Sequence, residues 1–161
     1  MEKPFREITR KKQMLSPAEC AEVLQTVLRG VLAVNGEEGY PYALPINFYY
    51  DEAAATIYFH SGKTGHKVEC LTRSDKACFT AYTDGVRNSG EWWLTIRSVI
   101  AFGYIESVTD PATIADISKK LSLRFTHDET YIQEEIDKYL ASTLLLAFRI
   151  EHLTGKVVRE K

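Results

Sequence analysis

The sequence predicts an α+β domain built around an antiparallel barrel, and three observations carry that prediction. Runs rich in β-branched and aromatic residues follow one another with short turn signals between them, as in a meander. The run from position 92 to 108 is longer than an ordinary strand and must curve, as strands do around a barrel. Helical periodicity appears in four separate stretches, and no internal repeat, low-complexity tract or linker divides the chain. The 161 residues therefore read as one domain, with positions 1–15 as a charged surface arm anchored by Phe5, Ile8 and Leu15.

The elements follow in order. Ser16-Pro17-Ala18-Glu19 is a capping box, with a hydroxyl at the N-cap, proline at the first helical position and glutamate three residues after the cap. It opens a helix to about Arg29, with Ala21, Leu24, Val27 and Leu28 on one face and Gly30 as its stop. Val31 to Val34 is an apolar strand, and Asn35 to Gly39 a turn. Tyr40 to Tyr50 reads as a second strand broken by Pro41 and Pro45, which lack a ladder donor and mark an edge or a bulge. The third strand spans 55–60, a helix about 64–73, and the fourth strand 77–82. Positions 92–108 form the long strand, with Trp92 and Trp93 on alternate faces and Gly103 as a bulge. Asp110-Pro111 starts a helix to about Leu123, 129–140 form another, and Leu144 to Ile150 close the barrel ahead of a short basic tail.

The functional signal sits where the third strand meets its helix, in Tyr58-Phe59-His60-Ser61-Gly62-Lys63-Thr64-Gly65-His66-Lys67-Val68. Gly62 and Gly65 free the backbone to approach a ligand. A helix start carries unpaired N–H groups and partial positive charge, so it favours an anion. Ser61, Lys63, Thr64, His66 and Lys67 add donors at the same place, which makes the segment a phosphate cradle. The same composition also suits a plain solvated connection with a helix cap. The spacing is neither that of a Walker loop nor that of a dinucleotide fingerprint.

Composition limits the partners. A net charge of −2 gives no global basic field for nucleic acid, so any anion must be held locally. Cys20, Cys70 and Cys78 are odd in number and irregularly spaced, which suits reduced thiols in the cytoplasm and offers no zinc pattern. No apolar stretch is long enough to span a bilayer, and no leader-like run follows Met1. A soluble cytoplasmic protein with no metal site is the expectation.

Two stretches resemble one family. Tyr42-Ala43-Leu44-Pro45-Ile46-Asn47-Phe48 through to Gly65-His66-Lys67 is similar to the cofactor half of the flavin-binding split-barrel proteins, and Trp93 to Gly103, with Arg97-Ser98-Val99-Ile100, to the second half. The resemblance covers about residues 5 to 155 and is strongest to the pyridoxamine 5′-phosphate oxidase-related branch that includes the nitroimidazole-resistance proteins. It implies a split β-barrel homodimer with FMN at the subunit interface and a small electron-poor substrate. By position, Lys67 would bind the FMN phosphate, helped by Ser61 and Thr64. His66 replaces an arginine of the oxidases, a loss that Lys63 would have to offset. Pro45, Ile46 and Asn47 would face the isoalloxazine edge, and Arg97, Ser98 and Val99 would reach the flavin from the second subunit. His60 is the candidate catalytic side chain. The resemblance also leaves open a flavin carrier without turnover, the deazaflavin F420, and a haem-binding barrel with His60 or His127 as ligand. The stretch beyond Ile150 lacks tryptophan, so pyridoxamine phosphate itself is not the expected substrate. Arg97 could instead pair with a surface carboxylate such as Glu91.

Overall fold

A computed structural model describes residues 5–161. Seven strands form one antiparallel sheet: β1 (Arg29–Asn35), β2 (Pro41–Asn47), β3 (Tyr49–Asp51), β4 (Thr56–Gly62), β5 (Lys76–Tyr82), β6 (Thr95–Val108) and β7 (Thr143–Arg159). Their order is β2-β1-β5-β6-β7-β4-β3. Phe48 alone separates β2 from β3, yet these two strands lie at opposite edges of the sheet. The sheet must therefore curl until its edges approach, which makes the barrel. The expected strand over 40–50 is thus two strands, divided at a phenylalanine that is fully buried. Pro41 and Pro45 fall on an edge strand, as their missing donors require.

Alternation decides what lies inside. Leu32 and Val34 of β1, Phe79 and Ala81 of β5, Val99 and Ala101 of β6, and Phe59 and Phe148 of β4 and β7 fill the barrel. Helix α1 (Pro17–Thr26) buries Cys20, Val23 and Leu24 in the same core, and α2 (His66–Arg73) adds Cys70. On the outer face of β4 and β7, Tyr58, Leu145 and Ala147 pack with Ile114 and Ile117 of α3 (Pro111–Ser122) in a second cluster. Helix α4 (Glu129–Tyr139) buries Ile132 and Ile136. The arm is fastened at its end: Leu15 is buried, and its amide donates to the Gly155 carbonyl over 2.9 Å. Phe5 lies parallel to the His152 ring at 4.8 Å. Residues 1–4 of the arm lie outside the described residues.

Both parts of the capping box form: the Glu19 amide donates to Ser16 Oγ over 3.3 Å and the Ser16 amide to Glu19 Oε2 over 2.8 Å. Three boundaries differ from expectation. The first helix stops at Thr26, and Gly30 belongs to β1, where a Cβ would lie 2.3 Å from Phe79 Cζ. That glycine makes room for a core ring and ends nothing. Trp92 and Trp93 precede β6, so they are not on alternating strand positions. The region after Ile150 is the second half of β7, paired with Thr95–Phe102 of β6, because Leu153 and Val157 continue to pack on the core.

Gly103 does mark the bulge, with the register shifting between Phe102 and Gly103 and leaving Glu151 as the extra residue. A Cβ there would lie 1.9 Å from the Arg149 carbonyl oxygen, and a backbone atom in a central pair has nowhere to go. Gly103→Ala is expected to cost about 1–3 kcal/mol of stability, read by chemical denaturation.

Candidate functional site

The expected strand, glycine loop and helix are present, as β4 and α2. Gly65 is the N-cap of α2 at φ 123°, a conformation open to glycine, and it offers no side chain to the first amides of the helix. In the first turn of α2, Lys67 Nζ donates to Ser61 Oγ, and that hydroxyl donates onward to the Gly62 carbonyl over 2.8 Å. Lys67 is half-buried, and burial pulls its ammonium below the ordinary lysine pKa. No carboxylate pairs with it among the described residues. A helix start and an ammonium without a carboxylate partner both favour an anion.

The other expected cradle residues are arranged less directly. Lys63 Nζ donates to the Ala141 carbonyl over 2.5 Å, so the charge expected to offset the arginine-to-His66 change is held on the chain after α4. His66 is exposed, and its ring lies against Tyr42 at 4.0 Å. Thr64 is exposed in the loop.

Pro45, Ile46, Asn47 and His60 come together in one cavity of about 470 Å³, joined by Arg29 and Leu121. On β4 the alternation puts His60 and Ser61 on opposite faces, with Ser61 beside Lys67 and His60 toward α3. His60 Nε2 shares a hydrogen bond with Ser118 Oγ at 2.8 Å. Burial lowers the imidazole pKa, so the ring is neutral at neutral pH, with one nitrogen on Ser118 and Nδ1 making no hydrogen bond among the described residues.

The sign of the resulting pH dependence is fixed. In the unfolded chain this histidine takes a proton near the ordinary value of 6.5, whereas the folded ring resists it to lower pH. The stability it contributes is complete above that value and is lost as pH falls toward the folded pKa. The loss is at most about 1.4 kcal/mol per pH unit. Denaturation of ligand-free protein across pH 7.5 to 5 should therefore show a steeper decline for the wild type than for His60→Gln; equal slopes would remove the buried-histidine account.

Residues Arg97, Ser98 and Val99 stand apart from the cradle. Arg97 pairs with Glu22 at 3.2 Å and Glu19 at 3.7 Å, fastening α1 to β6. Glu91 accepts from Asn88 instead. Val99 is fully buried in the core and its carbonyl accepts from Thr80 Oγ1, so its side chain has no surface to give a ligand. Ser98 is half-buried on the outer face that it shares with Ile100 and Phe102. His127 is exposed in the loop after α3.

Sequence reading missed four residues here. Ser118 and Leu121 share the apolar side of α3, and a serine in that stripe was the available signal. Arg29 lines the cavity from the start of β1, its guanidinium 5.9 Å from the centre of the Phe125 ring. Arg124 donates to the carbonyls of Phe48, Gln25 and Val27 at 2.6, 3.0 and 2.6 Å, and nothing local in the sequence announces that. Among the described residues no cluster of three or more His, Cys, Asp or Glu could hold a metal ion, and no helix is long and apolar enough to cross a membrane.

The profile of a protein family described as pyridoxamine 5′-phosphate oxidase matches residues 16–157. The chain belongs to the pyridoxamine 5′-phosphate oxidase family. The fold of this family member is the split β-barrel, and solved structures agree with it. A candidate 5-nitroimidazole antibiotic resistance protein from Bacteroides thetaiotaomicron superimposes with a TM-score of 0.75 at 21% identity, over 89% of this chain and 86% of the other. An FAD-binding protein from Mesorhizobium loti gives 0.64 at 22% identity, over 91% and 97%. An FAD- and haem-binding protein from Mycobacterium smegmatis gives 0.70 at 24% identity, over 93% and 74%. At such identities the likeness shows the fold alone. No curated protein sequence matches the chain.

Proposed function

We propose that this pyridoxamine 5′-phosphate oxidase relative binds FMN between two copies of the chain and acts as an oxidoreductase on a small electron-poor molecule. The observation that carries the reading is Lys67 at the start of α2, a half-buried ammonium beside Ser61 with no carboxylate partner among the described residues. Lys67, Ser61, Thr64 and the first amides of α2 would hold the FMN phosphate. Pro45, Ile46 and Asn47 would line the ring edge. Bound FMN supplies the hydride or electron transfer, and the protein supplies binding and orientation. His60, neutral and held by Ser118, keeps one nitrogen for a hydrogen bond to the substrate. A dimer is supported by the outer face of β5 and β6, where Tyr82, Ile100 and Phe102 stay 60%, 43% and 41% exposed in the single chain, with Ser98 beside them. The cysteines are free thiols, which suits a cytoplasmic setting.

The visible absorption spectrum of purified protein, before and after adding FMN, tests this. Flavin bands that stay with the protein through gel filtration, at the size of a dimer, are expected. No bands and no FMN binding would overturn the reading, and a Soret band would replace FMN with haem. FAD in a parallel titration ranks the two flavins by affinity.

A further inference from the structure

The cavity at His60 continues past that residue. His60 and Leu121 also line a second cavity, of about 310 Å³, between α3, α4 and the start of β7. The hydrogen-bonded pair of His60 and Ser118 forms its polar end, and Leu121, Ile132, Ile136 and Leu140 form apolar walls. Its mouth is aromatic: Phe125, Tyr131 and Tyr139 remain 41%, 52% and 45% exposed. One charged side chain lines it, the half-buried Glu135 of α4, whose carboxylate has no ion pair or hydrogen bond among the described residues. Lys138 lies over the Tyr139 ring without lining the cavity. On the side of the first cavity the nearest charge is of the other sign, Arg29 over Phe125.

We propose that this chamber between α3 and α4 is the substrate pocket, and that it takes a single-ring aromatic molecule with a cationic or hydrogen-bond-donating substituent. The ring lies between the apolar walls, the donating substituent meets Glu135, and an electron-rich acceptor group, such as a nitro or carbonyl oxygen, points to His60 and Arg29. Size supports one ring. A dry cavity of about 150 Å³ holds benzene, and pockets for drug-sized ligands begin at about 300 Å³. At about 310 Å³ the chamber is well above the benzene cavity and at the bottom of the drug-sized range, room for one ring with its substituents. Charge sets the orientation, because the one carboxylate in the lining, Glu135, draws the donating substituent, while the acceptor group is left to the His60 and Ser118 end, next to the cavity that Arg29 lines. The role of the His60 end rests on the flavin reading; the chamber itself does not.

Three probes of one shape test it by calorimetry on the purified protein: 4-nitrobenzylamine, 4-nitrobenzyl alcohol and 4-nitrobenzoate. The ammonium is expected to bind tightest and the carboxylate weakest, with about tenfold between the extremes, the difference one partly buried ion pair makes. Glu135→Gln should collapse that ranking, and Glu135→Lys should reverse it, a result that misfolding cannot produce. Ser122→Trp places an indole in the chamber and should weaken all three. Equal affinity for the three probes, or a ranking unmoved by both Glu135 variants, would overturn the proposal. FMN titration of the same wild-type protein separates the two readings: FMN binding without probe binding removes the chamber alone, and probe binding without FMN binding removes the flavin alone.

Discussion

Replacing Arg124 with alanine should lower stability by about 3 kcal/mol, the largest single-residue loss expected outside the barrel interior. The guanidinium lies 4.7 Å from the centre of the fully buried Phe48 ring and donates to three carbonyls at 3.0 Å or less, with Leu24 a fourth at 3.5 Å. Leu24, Gln25 and Val27 lie at the end of α1, whose last carbonyls have no helical partner. Phe48 is the single residue that carries the chain from one edge of the sheet to the other. One side chain therefore closes a helix end and the barrel seam together. Of the three shorter bonds, those to Phe48 and Val27 are partly buried, and charge-assisted bonds of that kind are each worth about 1.5 kcal/mol or more. Burial lowers the guanidinium pKa, and the several carbonyls offset part of that desolvation. A midpoint lower by about 6–12 °C is the calorimetric counterpart for a chain of this length. Arg124→Lys should recover the smaller part, since a point charge cannot reach three carbonyls in a fork. A loss below about 1 kcal/mol would mean that water satisfies those carbonyls and that the seam holds without the clamp.

What the sequence discloses and what it conceals divide along the range of the interactions. The capping box at Ser16 and Glu19 and the Asp110-Pro111 helix start rest on neighbours a few residues apart, and each is legible; the bulge at Gly103 forms against the distant β7 and is legible only because the glycine itself marks it. The cradle is legible for the same reason, because Ser61 and Lys67 are six residues apart. The split at Phe48 is not, because the residue that holds its carbonyl, Arg124, is 76 residues away. Gly30 has an obvious local meaning as a helix stop, yet the ring that needs its missing side chain comes from Phe79 on another strand. Arg97 reads as a cofactor contact beside Ser98, and its partners Glu19 and Glu22 arrive from α1 only once the barrel closes. Ser118 belongs with His60 across 58 residues, so the polar pair at the junction of the two cavities has no local signature.

Replacing Lys67 with alanine should weaken FMN binding about ten- to a hundred-fold, from the loss of one charge-assisted hydrogen bond of about 1.5–3 kcal/mol. The arrangement around Lys67 sharpens this expectation. Lys67 rests on Ser61 Oγ, so an arriving phosphate finds an ammonium already positioned, partly desolvated and without a carboxylate to displace. Burial holds the lysine pKa below its ordinary value, and a dianion beside it would raise that pKa again. If FMN binds there, as proposed, it gains affinity from a charge that no carboxylate among the described residues compensates. Lys63 does not duplicate the role while its ammonium stays on the Ala141 carbonyl, so Lys63→Ala should change FMN affinity by less than about threefold. Ser61→Ala should fall between the two, since it removes a hydroxyl and the support that positions Lys67 but leaves the charge in place. Fluorescence titration with FMN, and with riboflavin as the phosphate-free control, reads all three variants. Lys67→Ala should narrow the gap between FMN and riboflavin. An unchanged gap would move the phosphate away from α2, and with it the functional reading of the loop from Ser61 to Lys67.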